Sequence, residues 1–144
     1  MSKMLLDTNT LLDYVIPDRP ESDEALELVK LIINHVHTGL VAASSLNDFY
    51  YISRKTLSEQ ERRDWLRIFI RIFDIEELDV EACAIALDSN EPDYEDGCIR
   101  AIAERAQVDF IITRDRTALE RSWVKAYSAK RFLELFPPIE SDEG

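Results

Sequence analysis

The chain predicts an α/β fold, a three-layer α/β/α sandwich with a central parallel sheet covered by helices on both faces. Three observations predict it. Short apolar runs (MLL at 4–6, LVAA at 40–43, FII at 110–112) alternate with helical patterns along the chain. These runs lack the apolar–polar alternation of a strand with one wet face, so each is expected to be buried on both sides. At 144 residues, 46% hydrophobic and 32% charged, the chain is sized for one domain with a real core. No repeat, linker or composition break divides residues 1–138, and the acidic tail 139–144 is expected to be disordered.

The elements follow in order. Residues 3–7 form the first strand. Thr8 or Asn9 is placed to cap a helix running to about Ile16, which Pro17 and Pro20 stop. A second helix begins near Ser22, with Leu26, Val29, Ile33 and Val36 on one stripe and Gly39 suited to its end. "LVAAS" is the second strand, and "SLNDFYYISRKTL" a helix with Ser45 as its cap. Ser58 and Glu61 make an S-x-x-E capping box for the helix through "RRDWLRIFIRIF". A short edge strand falls within "FDIEELDV", and helices follow over about 80–87 and 93–106. "VDFIIT" is a strand, "RDRTALER" a turn and short helix, "VKAYS" a last strand, and "AKRFLELF" a final helix stopped by Pro137 and Pro138.

The net charge of −12 argues against general affinity for nucleic acid. Its distribution is informative: residues 72–99 contain no Lys or Arg but ten Asp and Glu. Most of those acids are expected on the solvated surface, yet a few that converge would make a strong cation site. No apolar run approaches the ~18–20 residues of a membrane span. The N-terminus lacks the basic start and apolar core of a signal peptide, so a cytoplasmic location is expected. Cys83 and Cys98 have no C-x-x-C spacing and are expected to be small buried hydrophobes. His35 and His37 have no third ligand nearby and are assigned structural roles.

In an open parallel sheet, sites form beyond the carboxyl ends of the strands. Asp7 ends the first strand, Asp48 follows the second, and Asp115 follows "FII". Asp93 and Asp96 open the helix before it. Each has a plain structural explanation. Asp7, Asp93 and Asp115 could cap helices, and Asp96 could pair with Arg100 at i, i+4. Together they suggest more, because carboxylates within a few ångströms repel and one stays protonated unless a cation binds. Mg²⁺ wants oxygen ligands and retains waters, so three or four carboxylates suffice. Such an ion activates water and stabilises phosphoryl displacement. The chain has no G-x-x-x-x-G-K-[ST] or G-x-G-x-x-G. A D-x-D phosphatase pattern is also missing, since Asn9 stands where the second acid would be.

These residues carry a resemblance. "LLDTNTLLDYV" resembles the opening of PIN-domain ribonucleases, whose first strand ends in D-T-N. "SLNDFYYI" matches the stretch with that family's second acid, with Asp48 where Glu is usual. "DYEDGCIRAIAERAQVDFIITRD" is similar over its whole length, matching Asp96 to the third acid and Thr113–Arg114–Asp115 to the T-x-D pattern, with Asp93 an extra acid nearby. The resemblance spans residues 4 to about 136. It implies strand order 3-2-1-4-5 and Mg²⁺- or Mn²⁺-dependent endoribonuclease activity. It also implies a VapC-type toxin with a protein antitoxin as partner.

The resemblance makes Asp7, Asp48, Asp96 and Asp115 the expected catalytic acids, with Asp7, Asp93, Asp96 and Asp115 toward the metal. Asn9 and Thr113 are expected to orient these ligands. Arg54, Lys55, Arg114 and Arg116 lie near the acids in the motif map and are expected to contact RNA phosphates. The helix bearing Arg63, Arg67 and Arg71 is apolar nearly all round and is expected to be buried on two sides. Alternatively, one side meets a second copy in a homodimer or an antitoxin helix, with Phe49, Tyr50 and Tyr51 joining that surface. The competing expectation is a catalytically weak domain that binds RNA or protein, favoured by the short Asp48 and the high negative charge.

Overall fold

Five strands make one parallel sheet in the computed structural model, which describes residues 1–115 and 120–139. They are β1 (Lys3–Leu6), β2 (Thr38–Ala42), β3 (Asp74–Glu76), β4 (Phe110–Ile112) and β5 (Lys125–Tyr127), in the order β3-β2-β1-β4-β5. Leu5 faces Leu40 on one side and Ile111 on the other, so β1 is the central strand. The connecting helices are α1 (Thr8–Val15), α2 (Ser22–Ile33), α3 (Ala43–Ile52), α4 (Glu59–Ile72), α5 (Val80–Asp88), α6 (Tyr94–Arg105) and α7 (Ala129–Leu135).

The pleat of β1 divides the core in two. Met4 and Leu6 pack with Leu12, Leu28, Phe49, Phe69 and Phe132, so α1, α2, α3, α4 and α7 cover that face. Leu5 packs with Leu40, Ala82, Ile102 and Ile111, so α5 and α6 cover the other. Met4, Leu5 and Leu6 are all fully buried, which explains why β1 shows no polar alternation. Each such side chain contributes ~1.5–3 kcal/mol of burial. The three layers and the strand order match the expectation from sequence.

Local chemistry sets the boundaries. Asp7, not Thr8 or Asn9, caps α1, and its side chain accepts from the Thr10 amide. Ser58 and Glu61 close both halves of the capping box on α4. Gly39 does not end α2 but lies within β2, where a Cβ would stand 2.8 Å from Phe73 Cδ1 and 2.9 Å from Ile32 Cδ1. The turn after α2 is instead closed by His35 at φ 61°. Ser45 is a buried residue inside α3 rather than its cap. Most of the helix expected within "RDRTALER" lies outside the described residues.

α4 is not buried on two sides. Phe69 is its one buried residue, stacking edge-on with Phe49 at 4.9 Å, while Arg63 and Arg67 pair outward with Glu59 and Asp64. His37 is structural: its Nδ1 accepts the Ser2 amide at 3.1 Å and its ring meets Phe132 edge-on. Cys98 is buried and Cys83 half-buried, both as free thiols. Among the described residues, no helix is long and apolar enough to cross a membrane.

Candidate active site

Because every strand is parallel, all the carboxyl ends meet at one edge of the sheet. Asp7 emerges there from the central strand. Its amide donates to the Ile112 carbonyl at 3.0 Å, tying it to β4. Its Oδ1 accepts the Thr10 amide at 2.9 Å and the Thr10 hydroxyl at 2.8 Å. The Thr113 hydroxyl lies by this carboxylate and favours its ionised form, while accepting the Asp115 amide at 3.1 Å. One buried hydroxyl thus links the acids that end two adjacent strands. Burial pushes the Asp7 carboxyl above the usual carboxylate range, against the Thr113 hydroxyl, the Thr10 bonds and the nearby Arg114 charge, which favour the ionised form.

Asp96 lies in the first turn of α6, where the helix dipole favours negative charge. Its acidity is nevertheless weakened to a pKa of about 6 by burial and by the charges of Asp93, Asp115, Glu91 and Glu95. Burial, reinforced by like-charge crowding, therefore outweighs the dipole. Asp7, Asp48 and Asp96 line a single open cleft of about 590 Å³, together with Ser44, Tyr51, Tyr94 and Glu95. Asp48 is exposed on α3 within that cleft. Asp93 caps α6 by accepting the Glu95 amide at 3.1 Å, so it acts on the cleft through its charge.

Two expected pairings take a different form. Arg100 does not bind Asp96; it bonds Glu104, Asn90 and Glu91. Arg114, expected at a phosphate, turns toward α1 and grips Asp13 through Nε at 2.7 Å and Nη2 at 3.2 Å. Arg19 bonds the same buried carboxylate at 2.9 Å, and its Nη2 reaches Asn9 Oδ1 at 3.3 Å. Asn9 lines the cleft but is held by Arg19, and Thr10 supplies the brace on Asp7 expected of Asn9. Arg54 and Lys55 are exposed at the end of α3. Arg116 lies outside the described residues.

Sequence reasoning passed over Thr10, Asp13, Glu91 and Glu95. The first two left signals: an Asp-x-x-Thr cap spacing, and a lone acid inside the apolar run "LLDYV". The Glu91 side chain is fully buried against Arg100, with Oε2 3.9 Å from Arg121. That contact is set by tertiary structure and has no local signature.

The donor set is carboxylate oxygen throughout, the chemistry of a hard divalent ion. Among the described residues, no group of three or more Asp, Glu, His or Cys side chains is arranged to hold a metal ion as it stands. The presence of Asp7, Asp48 and Asp96 on one open cleft fits a hydrated ion, which needs few direct protein ligands.

A family model for the PIN domain matches residues 3–117. The chain belongs to the PIN-domain family. Comparison with curated proteins gives no match. Among solved structures, this PIN domain is similar to VapC20 of Mycobacterium tuberculosis, a toxin that cleaves the sarcin–ricin loop. The TM-score is 0.65 at 10% identity, covering 78% of this chain and 89% of that one. FitAcB of Neisseria gonorrhoeae gives 0.67 at 17% identity, covering 88% and 98%. DNA-bound VapBC of Salmonella typhimurium gives 0.65 at 18% identity, covering 90% and 99%. At these identities the likeness is one of fold.

Proposed function

We propose that this PIN domain is a divalent-metal-dependent endoribonuclease acting as the toxin of a toxin–antitoxin pair. The observation that carries the reading is the crowding around Asp96. Burial and the charges of Asp93, Asp115, Glu91 and Glu95 hold the Asp96 carboxyl above the usual carboxylate range on the cleft it shares with Asp7 and Asp48, and a bound cation would balance that charge. The similarity in fold to VapC20, a toxin that cleaves the sarcin–ricin loop, supports the substrate class, and the VapBC and FitAcB neighbours support a protein antitoxin as partner.

Asp7, Asp96 and Asp115 would hold Mg²⁺ or Mn²⁺, and Asp48, which lines the cleft with Asp7 and Asp96, would bind the ion directly or through water. The ion when bound supplies Lewis acidity toward the scissile phosphate and lowers the pKa of its water. Thr10 and Thr113 fix Asp7 so that its oxygens need no reorganisation during the reaction. Arg114 holds α1 to the end of β4 through Asp13 and biases Asp7 toward its ionised form. Arg54 and Lys55 have no carboxylate partner among the described residues, so their charges remain available to phosphate.

The test is cleavage of mixed RNA with Mn²⁺, with and without EDTA. EDTA-sensitive cleavage that disappears in Asp7→Asn supports the reading. Metal binding without cleavage supports instead a catalytically weak binding module. Growth arrest on expression that disappears in Asp7→Asn tests the toxin role.

A further inference from the structure

Three consecutive aromatic residues at the end of α3 have three different fates. Phe49 is fully buried in the core. Tyr50 is tied down: its hydroxyl bonds Glu59 and its ring lies under the Arg62 guanidinium at 4.4 Å. Tyr51 is 62% exposed, and its hydroxyl has no hydrogen-bond partner among the described residues. The 100° step of the helix turns it away from the core and into the wall of the acidic cleft, beside Asp48 and Asp96. A ring this exposed belongs to neither core cluster, so core packing does not explain it.

Arg54 covers one face of that ring. Its guanidinium lies 3.7 Å from the ring centroid, and its Nη1 donates to the Tyr51 carbonyl at 2.6 Å. The stack fixes the ring's orientation and adds a cation with no carboxylate partner among the described residues. A flat ring, a guanidinium and a rim of acids suit a nucleobase with its own phosphate: the base stacks, Arg54 meets the phosphate, and the acids face the next bond.

We propose that Tyr51 is the stacking platform for an unpaired nucleobase next to the scissile phosphate, with Arg54 holding that nucleotide's phosphate. The proposal rests on the nuclease reading and assigns the residue that positions its substrate. A base inside a duplex has no free face, so this platform takes single strands.

The experiment measures binding of a single-stranded oligoribonucleotide carrying 2-aminopurine, in an Asp7→Asn background with Mg²⁺ so that the RNA stays whole. Thermal melts check that each further variant is folded. The expected result is fluorescence quenching by the parent and loss of quenching with roughly 10-fold or more weaker binding in Tyr51→Ala. Tyr51→Phe and Tyr51→Trp should retain both, and Tyr51→Leu neither. Arg54→Ala should weaken binding and flatten its salt dependence while leaving some quenching. Unchanged binding and quenching in Tyr51→Ala would overturn the platform and leave the nuclease reading standing, as would a Tyr51→Leu variant that behaves like Tyr51→Phe. If the parent binds no RNA at all, the nuclease reading fails and the platform with it.

Discussion

Arg114 and Asp13, 101 residues apart in sequence, are joined by a two-point ion pair that closes α1 onto the end of β4. Asp13 is buried, and Arg19 bonds it as well. Removing it leaves two guanidinium groups without their counter-charge. Breaking a buried pair costs about 3–5 kcal/mol, and both arginines keep roughly a quarter of their exposure, which places Asp13→Ala toward the lower end. Urea unfolding should show a lower midpoint at unchanged slope, by about 3 kcal/mol. A loss below about 0.5 kcal/mol, the scale of ordinary surface changes, would show that the pair holds nothing together.

Asp7 combines a cap and a proposed ligand, and one substitution separates the two. Asn caps helices about as well as Asp, and its amide oxygen can still accept from Thr10. Asp7→Asn should therefore melt within a degree or two of the parent. Loss of supporting groups around a metal costs 10–100-fold, so loss of a direct ligand should lower RNA cleavage by more than about 100-fold. Asp7→Ala should lose cleavage too, and about 1 kcal/mol of stability with it.

The Asp96 carboxyl dictates a pH dependence. Its folded pKa of about 6 lies above the ordinary value of 3.8. Between those values the folded chain binds more protons than the unfolded one, so stability falls as pH rises. The contribution is fully present below about pH 4 and is lost as pH passes through 6; buried Asp7 acts in the same direction. In EDTA, unfolding midpoints should fall from pH 4 to 7 in the parent and fall less in Asp96→Asn. Mg²⁺ should restore stability at pH 7 more than at pH 5. Identical pH slopes in parent and variant would remove Asp96 as the source.

Gly39 makes a prediction about packing alone. A Cβ there would press on Phe73 and Ile32, both buried against β2. Overpacking a well-filled core costs about 1–3 kcal/mol. Gly39→Ala should lose stability in that range while RNA cleavage per folded molecule stays unchanged, since this end of β2 lies opposite the cleft.

Much of the molecule was legible because its signals are local. The apolar run before Asp7, the Ser58–Glu61 box and the Asp93 cap each lie within a few residues, and the strand and two helices that they announce formed. What was missed depends on distant partners. The fate of Arg114 is fixed by Asp13 from the far end of the sequence, and no periodicity announces that. The two-sided burial expected of α4 failed because its arginines find Glu59 and Asp64 on their own helix and stay in water. Thr10 went unread for a different reason: Asn9 is the more conspicuous polar residue, and only the backbone turn shows which of the two faces Asp7.

The bond from the Asp7 amide to the Ile112 carbonyl has a kinetic consequence. It is one rung in the middle of the five-stranded ladder, and the Thr10 hydroxyl reaches the same carbonyl at 3.2 Å. The Asp7 amide meets solvent when this end of β1 parts from β4. Asp48 and Asp96 ride on helices at the rim. One wall of the cleft is therefore tied to the central strands while the others rest on helices, and amide exchange should record Asp7 as slower than the amides of Asp48 and Asp96.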